Sequence, residues 1–116
     1  MHIENIQAIC KKFPHVTEEI KWETHLCYCV GGKIFIITNP DGSPVTASFK
    51  VSDEDFEELP EREGMKPAPY LAKYKWIYID DISRLNKKEW EKYLKKAYDI
   101  VAAKLPAKIK KQLGMK

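Results

Sequence analysis

The residues with the spacing of metal ligands are His25, Cys27 and Cys29. On a strand they would share one face at intervals of about 6.7 Å. His25 and Cys29 would then stand about 13 Å apart along the strand, whereas one zinc draws its ligands in to about 2.0–2.3 Å. No C-x-x-C elsewhere completes a set, so no metal is expected there. The three cysteines lack the even count of a disulfide framework, and Cys10 reads as a small hydrophobe in a helix. The acids Asp53, Glu54, Asp55, Glu57, Glu58, Glu61 and Glu63 surround Phe56 and Leu59. That is the pattern of a solvated short helix rather than of a shaped cation site. No nucleophile elbow, phosphate-binding glycine loop, dinucleotide fingerprint or H-E-x-x-H is present. His25 beside Thr24 lacks an orienting carboxylate. Neither an enzyme nor a cofactor is expected.

The remaining chemistry is cationic. Residues 1–72 hold 7 Lys+Arg against 12 Asp+Glu, a net of −5, and residues 73–116 hold 13 against 5, a net of +8. Lys87, Lys88, Lys92, Lys95, Lys96, Lys104, Lys108, Lys110 and Lys111 crowd the last part of the chain. Two readings stand side by side. One is contact with the phosphates of a polyanion, with affinity that falls steeply with salt. The other is a solvated helix face, in which Glu91 pairs with Lys95 four residues on. Arg84 is the only arginine in this half. Sequence-specific readout relies on arginine forks, so its scarcity argues against base reading.

The elements that must carry these residues follow from periodicity. Ile3, Ile6, Cys10 and Phe13 fall on one helical face over residues 2–13, which Pro14 ends. Residues 16–22 read as an edge strand. Leu26–Val30 and Lys33–Thr38 read as a hairpin closed by Gly31-Gly32, which supply the positive φ of a tight turn. After the turn at residues 39–44, Val45–Val51 alternates as a further strand, with Val45, Ala47, Phe49 and Val51 on one face. Ser52 is placed to cap a short helix that stops at Pro60. Residues 60–70 read as a loop, and Lys73–Asp80 as a strand with Trp76, Tyr78 and Asp80 on one face. Asn86 and Glu89 form a capping box. Trp90, Leu94, Ala97, Val101 and Leu105 then recur at helical spacing until Pro106, which is placed to open a last short helix at its first position. At 116 residues the chain reads as a single α+β domain over 1–116. The expected architecture is a twisted antiparallel sheet of four to five strands, with the N- and C-terminal helices packed on one face. No apolar run approaches the ~18–20 residues that span a bilayer, and Met-His-Ile-Glu-Asn lacks the pattern of a signal peptide. A cytoplasmic location with no membrane partner is expected.

Several motifs, in this order, resemble those of the MmcQ/YjbR family of small bacterial proteins. They are Val16-Thr-Glu-Glu-Ile-Lys-Trp22, Val30-Gly-Gly-Lys-Ile-Phe35 and Phe49-Lys50. Pro67-Ala-Pro-Tyr-Leu71, Lys75-Trp-Ile-Tyr-Ile-Asp80 and Ala97-Tyr-Asp-Ile-Val101 with Leu105-Pro106 follow. The resemblance covers nearly the whole chain. It implies a fold similar to the frataxin (CyaY) type, often called a double-wing DNA-binding domain. It also points to recurring positions occupied here by Trp22, Lys33, Lys50, Tyr70, Lys73, Trp76 and Tyr98. If these converge, they would line a groove in which cations and aromatic faces hold an anionic or stacked ligand. Otherwise the aromatics are core and rim packing. The chain departs from the family pattern in two places: Glu23 stands where Gly often follows the first Trp, and Ala97 where Ser often precedes the late Tyr.

The resulting expectation is a monomeric, non-enzymatic DNA-binding protein. Lys33 and Lys50 on the wings and the basic C-terminal helices would contact backbone phosphates with little sequence preference. The alternative is a binding module for a protein partner or a small anion. Surface geometry separates the two. A continuous basic stripe as wide as a duplex supports DNA, whereas a pocket around Trp76 and Tyr98, with the other lysines dispersed, supports the module.

Overall fold

The computed structural model of the chain describes residues 2–115. Its elements are α1 (Ile3–Lys11), β1 (Val16–Lys21), β2 (His25–Val30), β3 (Lys33–Asn39) and β4 (Thr46–Lys50). They continue with α2 (Asp53–Glu58), β5 (Met65–Pro67), β6 (Trp76–Ile79), α3 (Lys87–Ala103) and α4 (Ala107–Gln112). Among the described residues, six strands form one antiparallel sheet in the order β1-β2-β3-β4-β6-β5. The α+β sheet-and-helix architecture is as expected; the strand count is one higher than the four to five read from the sequence. The additional strand, β5, lies in the Gly/Pro-rich stretch read as a loop. Met65 pairs with Ile79 and Pro67 with Ile77 at the sheet's margin, and a margin is where a residue without an N–H is tolerated in a strand.

The β2–β3 hairpin closes as expected, with Gly31 at φ 58° and Gly32 at φ 80° between the paired residues Val30 and Lys33. Gly31 has a second reason to lack a side chain. A Cβ there would come within 2.7 Å of Leu105 and 3.0 Å of Ile109, so the start of α4 sits directly over the turn. A bulge in β3 opposite Tyr28/Cys29 inserts Phe35 beside Ile36, and both side chains are buried in the main core. The extra residue breaks the alternation of the strand. It delivers Phe35 to Tyr98 at 5.8 Å between ring centres, edge to face.

Leu26, Tyr28, Val30, Ile36, Ala47, Phe49, Ile77 and Ile79 form the sheet's inner face. Upon it lie Ile6, Ile9 and Cys10 of α1 and Trp90, Leu94, Ala97 and Ala102 of α3. Trp90 is fully buried and donates its indole N–H to the Ile82 carbonyl at 2.8 Å, which removes the cost of an unpaired donor in the core. The capping box at the start of α3 is complete. Asn86 accepts from the Glu89 N–H at 2.8 Å, and Glu89 accepts from the Asn86 N–H at 3.2 Å. Ser52 caps α2 by accepting from Asp55 N–H at 3.2 Å. Pro106 stands one position earlier than expected, as the N-cap of α4 rather than inside it.

Two expected strand boundaries move where non-glycine residues take the left-handed conformation. The strand read over Lys73–Asp80 shortens to β6, because Ala72–Tyr74 forms a 3-10 turn capped by Lys75 in the left-handed conformation at φ 64°. Trp22 and Glu23, between β1 and β2, also have positive φ, 53° and 66°. Glu23 therefore occupies backbone that favours the glycine it departs from.

Candidate functional site

Four segments that are distant in sequence meet at one end of the sheet. The start of β3 brings Lys33 and Ile34, and the end of β4 brings Lys50, with Asp53 following in α2. The turn into β6 brings Lys73, Tyr74, Lys75 and Trp76, and the last turns of α3 bring Ile100, Val101 and Lys104. Together they enclose a recess of about 540 Å³. Backbone hydrogen bonds fix its walls. Lys50 pairs with Trp76 across the β4–β6 ladder, and Val51 N–H donates to the Lys75 carbonyl at 3.0 Å. Ala68 N–H donates to the Trp76 carbonyl at 3.0 Å.

The left-handed residue Lys75 explains why one turn contributes so many side chains. In an unbroken strand, Lys73, Tyr74, Lys75 and Trp76 would alternate between two faces. The reversal at Lys75 breaks the period, and all four line the recess. Non-glycine residues in this conformation cost of order 1–3 kcal/mol and persist where their surroundings hold them. Here Lys75 Nζ rests over the Phe56 ring at 4.8 Å, and its N–H donates to Ala72 O at 2.9 Å.

The recess has an apolar floor, from Ile34, Trp76, Ile100 and Val101, and a cationic rim of five lysines against the single carboxylate Asp53. Among the described residues none of Lys33, Lys50, Lys73, Lys75 and Lys104 makes an ion pair. The ion pairs belong to Lys11, Lys21, Arg62, Arg84, Lys95 and Lys96. Lys50 donates to the neutral carbonyl of Tyr74. Burial, then the neighbouring Lys104 and Lys75, push the Lys50 ammonium below its ordinary pKa, with Asp53 opposing in part. An arrangement of like charges around an apolar floor suits an anionic ligand whose body is apolar or flat.

Of the seven positions singled out from sequence, the recess gathers Lys33, Lys50, Lys73 and Trp76. The other three lie outside its lining. Tyr98 is core: its hydroxyl donates to the Pro14 carbonyl at 2.6 Å and its ring packs 5.1 Å from Phe13. Burial pushes its phenol above its ordinary pKa. Trp22, 66% exposed, caps the β1–β2 turn edge-on to His25 at 5.9 Å. Tyr70 is 98% exposed on its loop at φ 66°. Sequence reasoning did not place Ile34, Asp53, Tyr74, Lys75, Ile100, Val101 or Lys104 in the recess. Lys104 was visible only as one lysine among many, and Ile100 lay off the main apolar stripe of α3.

The other candidate chemistry is structural. Leu26, Tyr28 and Val30 face the core, and Cys27 and Cys29 alternate with them on the opposite side of the sheet while remaining fully buried. Cys29 donates to Glu19 at 3.3 Å. Burial first, then Glu19, push the Cys29 thiol up to about 12, and burial alone takes Cys10 to about 12. Thiols held this far above neutrality are weak nucleophiles and weak ligands. Among the described residues no group of three or more His, Cys, Asp or Glu could hold a metal ion. The acidic stretch divides its roles, with Asp55 pairing with Lys96 at 3.1 Å and Asp53 facing the recess. No helix among the described residues is long and apolar enough to cross a membrane.

Comparison with known proteins agrees with this architecture. A Deinococcus radiodurans protein with a DUF419 domain is similar at TM-score 0.86 and 22% identity, over 99% of this chain and 89% of that one. A Pseudomonas syringae protein is similar at TM-score 0.70 and 16% identity, over 87% of this chain and 99% of that one. No curated protein matches the sequence. The YjbR family model matches residues 11–100, a span that includes the β-sheet and most of α3. This chain belongs to the YjbR family.

Proposed function

We propose that the chain is a non-catalytic binding module whose recess takes the phosphate end of a ligand with an apolar or aromatic body. The observation that carries this reading is the convergence of five lysines, none in an ion pair among the described residues, on an apolar floor containing Trp76. Along the middle of α3 the basic residues are interleaved with acids. Lys95 pairs with Asp99 at 2.6 Å and Lys96 with Asp55 at 3.1 Å, so α3 offers a dispersed rather than a continuous basic stripe. A volume near 540 Å³ falls within the range of small-ligand sites.

A second reading, contact with the phosphate backbone of DNA, draws on α4. That helix lies over Gly31, two residues from Lys33, and carries Lys108, Lys110 and Lys111 toward the same end of the molecule. Lysines so grouped would give sequence-independent affinity.

The test titrates a nucleoside triphosphate and a short random-sequence duplex separately, by calorimetry and fluorescence anisotropy, at about 50 and about 200 mM salt. The small-ligand reading expects saturable nucleotide binding that Lys104→Glu weakens at least about tenfold, with the duplex weak. Strong duplex binding that collapses at the higher salt, and that needs α4 as much as the recess, would favour DNA. Failure of both ligands in low salt would overturn the proposal.

A further inference from the structure

Lys50 differs from the other lysines of the recess in what surrounds its amine. Among the described residues it is the recess lysine whose amine is hydrogen-bonded within the fold, donating to Tyr74 O. The groups that line the recess with it are Lys33, Asp53, Lys73, Tyr74, Lys75 and Lys104, four cations against one acid. Lys73 and Lys75 are each drawn over an aromatic ring, at 5.0 and 4.8 Å. Lys50 itself is half-buried, its backbone paired with Trp76 across the ladder.

Resting on the phosphate-site reading above, we infer that Lys50 is a carbonyl-reactive amine that captures a small anionic aldehyde or ketone in the recess as a reversible imine. A lysine held among other cations and partly removed from water keeps more of its amine unprotonated at neutral pH than an exposed one, and only the free amine is nucleophilic. Burial, Lys104 and Lys75 act on Lys50 in that direction. The same cations draw in the ligand's phosphate or carboxylate. The chemistry balances without a further reactant. The nitrogen lone pair forms a bond to the carbonyl carbon, the carbonyl electrons move to oxygen, and proton transfer gives a carbinolamine. Loss of water then gives the imine, and water reverses it. The apolar floor limits that hydrolysis by limiting access of solvent.

The experiment uses two probes of the same shape. Pyridoxal 5′-phosphate carries an aldehyde and a phosphate; pyridoxine 5′-phosphate carries the phosphate with an alcohol in place of the aldehyde. Substoichiometric pyridoxal 5′-phosphate is trapped with borohydride, and labelled peptides are read by mass spectrometry across pH. The expected result is label on Lys50 at least about fivefold above Lys88 on α3. The Lys50 profile should also rise at lower pH than that of Lys88. Lys50→Arg should lose that label, because a guanidinium does not form the imine. Lys104→Gln should reduce Lys50 labelling at neutral pH. Label spread over the lysines by exposure, with pyridoxine 5′-phosphate still binding, would overturn the inference and leave the phosphate site standing. No binding of either probe would overturn both.

Discussion

Lys96 and Lys50 are both partly exposed lysines held on regular structure, yet their surroundings are opposite. Lys96 reaches a carboxylate, Asp55, that is only 7% exposed, so each charge offsets the other's desolvation. Lys50 donates to a neutral carbonyl, and burial first, then Lys104 and Lys75, hold its ammonium below its ordinary pKa. The contrast extends to the regions around them. Along α3, Lys95 pairs within the helix and Lys96 with Asp55 of α2, whereas among the described residues the recess lysines make no ion pair, Lys73 and Lys75 lying instead over aromatic rings. The net charge of +8 over residues 73–116 therefore says little about where an anion would bind. What matters is which cations the fold leaves uncompensated. An uncompensated cluster works against folding, and such strain is commonly retained for function.

Reversing a charge on each side breaks the comparison most sharply. Lys104→Glu is expected to weaken a phosphate probe at least about tenfold, or about 1.4 kcal/mol. Lys92→Glu should leave affinity within about twofold, a change that calorimetry resolves. Next in size, Lys96→Ala strands the Asp55 carboxylate. Urea denaturation should show a loss of about 1 kcal/mol, with probe binding unchanged. Lys50→Met should act in the opposite sense, raising the midpoint of thermal unfolding at neutral pH while lowering phosphate affinity. The sign follows from linkage. Because the folded state holds the Lys50 ammonium below its ordinary value, the unfolded chain binds more protons between the two values. Wild-type stability should then gain from Lys50 as pH climbs through that interval, and the variant should lack the gain. The smallest effect is expected remote from both regions. Glu23→Gly relieves a left-handed backbone and should stabilise by about 0.5 kcal/mol, read from the same urea curves, without altering binding.

The capping box at Asn86 and Glu89, the Gly31-Gly32 turn and the apolar stripe of α3 were legible because each is a local pattern with one good solution. Lys33, Lys50, Lys73 and Trp76 came from family resemblance, and the fold brings them together. Tyr98 and Phe13 illustrate the limit of that route, since an aromatic at a recurring position can serve the core as readily as a site. β5 was hidden because its three residues carry a proline and pair only at the sheet's margin. Lys75 was hidden for a different reason. Nothing in Lys73-Tyr-Lys-Trp76 announces a left-handed residue, so the sequence reads as alternation where the fold breaks it. Lys104 became distinguishable from its neighbours only once α3 was laid across the sheet, because position in space rather than residue type brings one lysine to the recess and leaves the others off it.

The central claim is that the anion site is the recess and not the lysine-bearing face of α3. Titration of inorganic pyrophosphate into isotope-labelled protein, followed by amide chemical shifts, tests it directly. The account predicts saturable shifts at Lys33, Lys50, Lys75, Trp76 and Lys104, with Lys87 to Lys96 unmoved. Shifts spread along Lys87 to Lys96, or none at millimolar pyrophosphate, would contradict it.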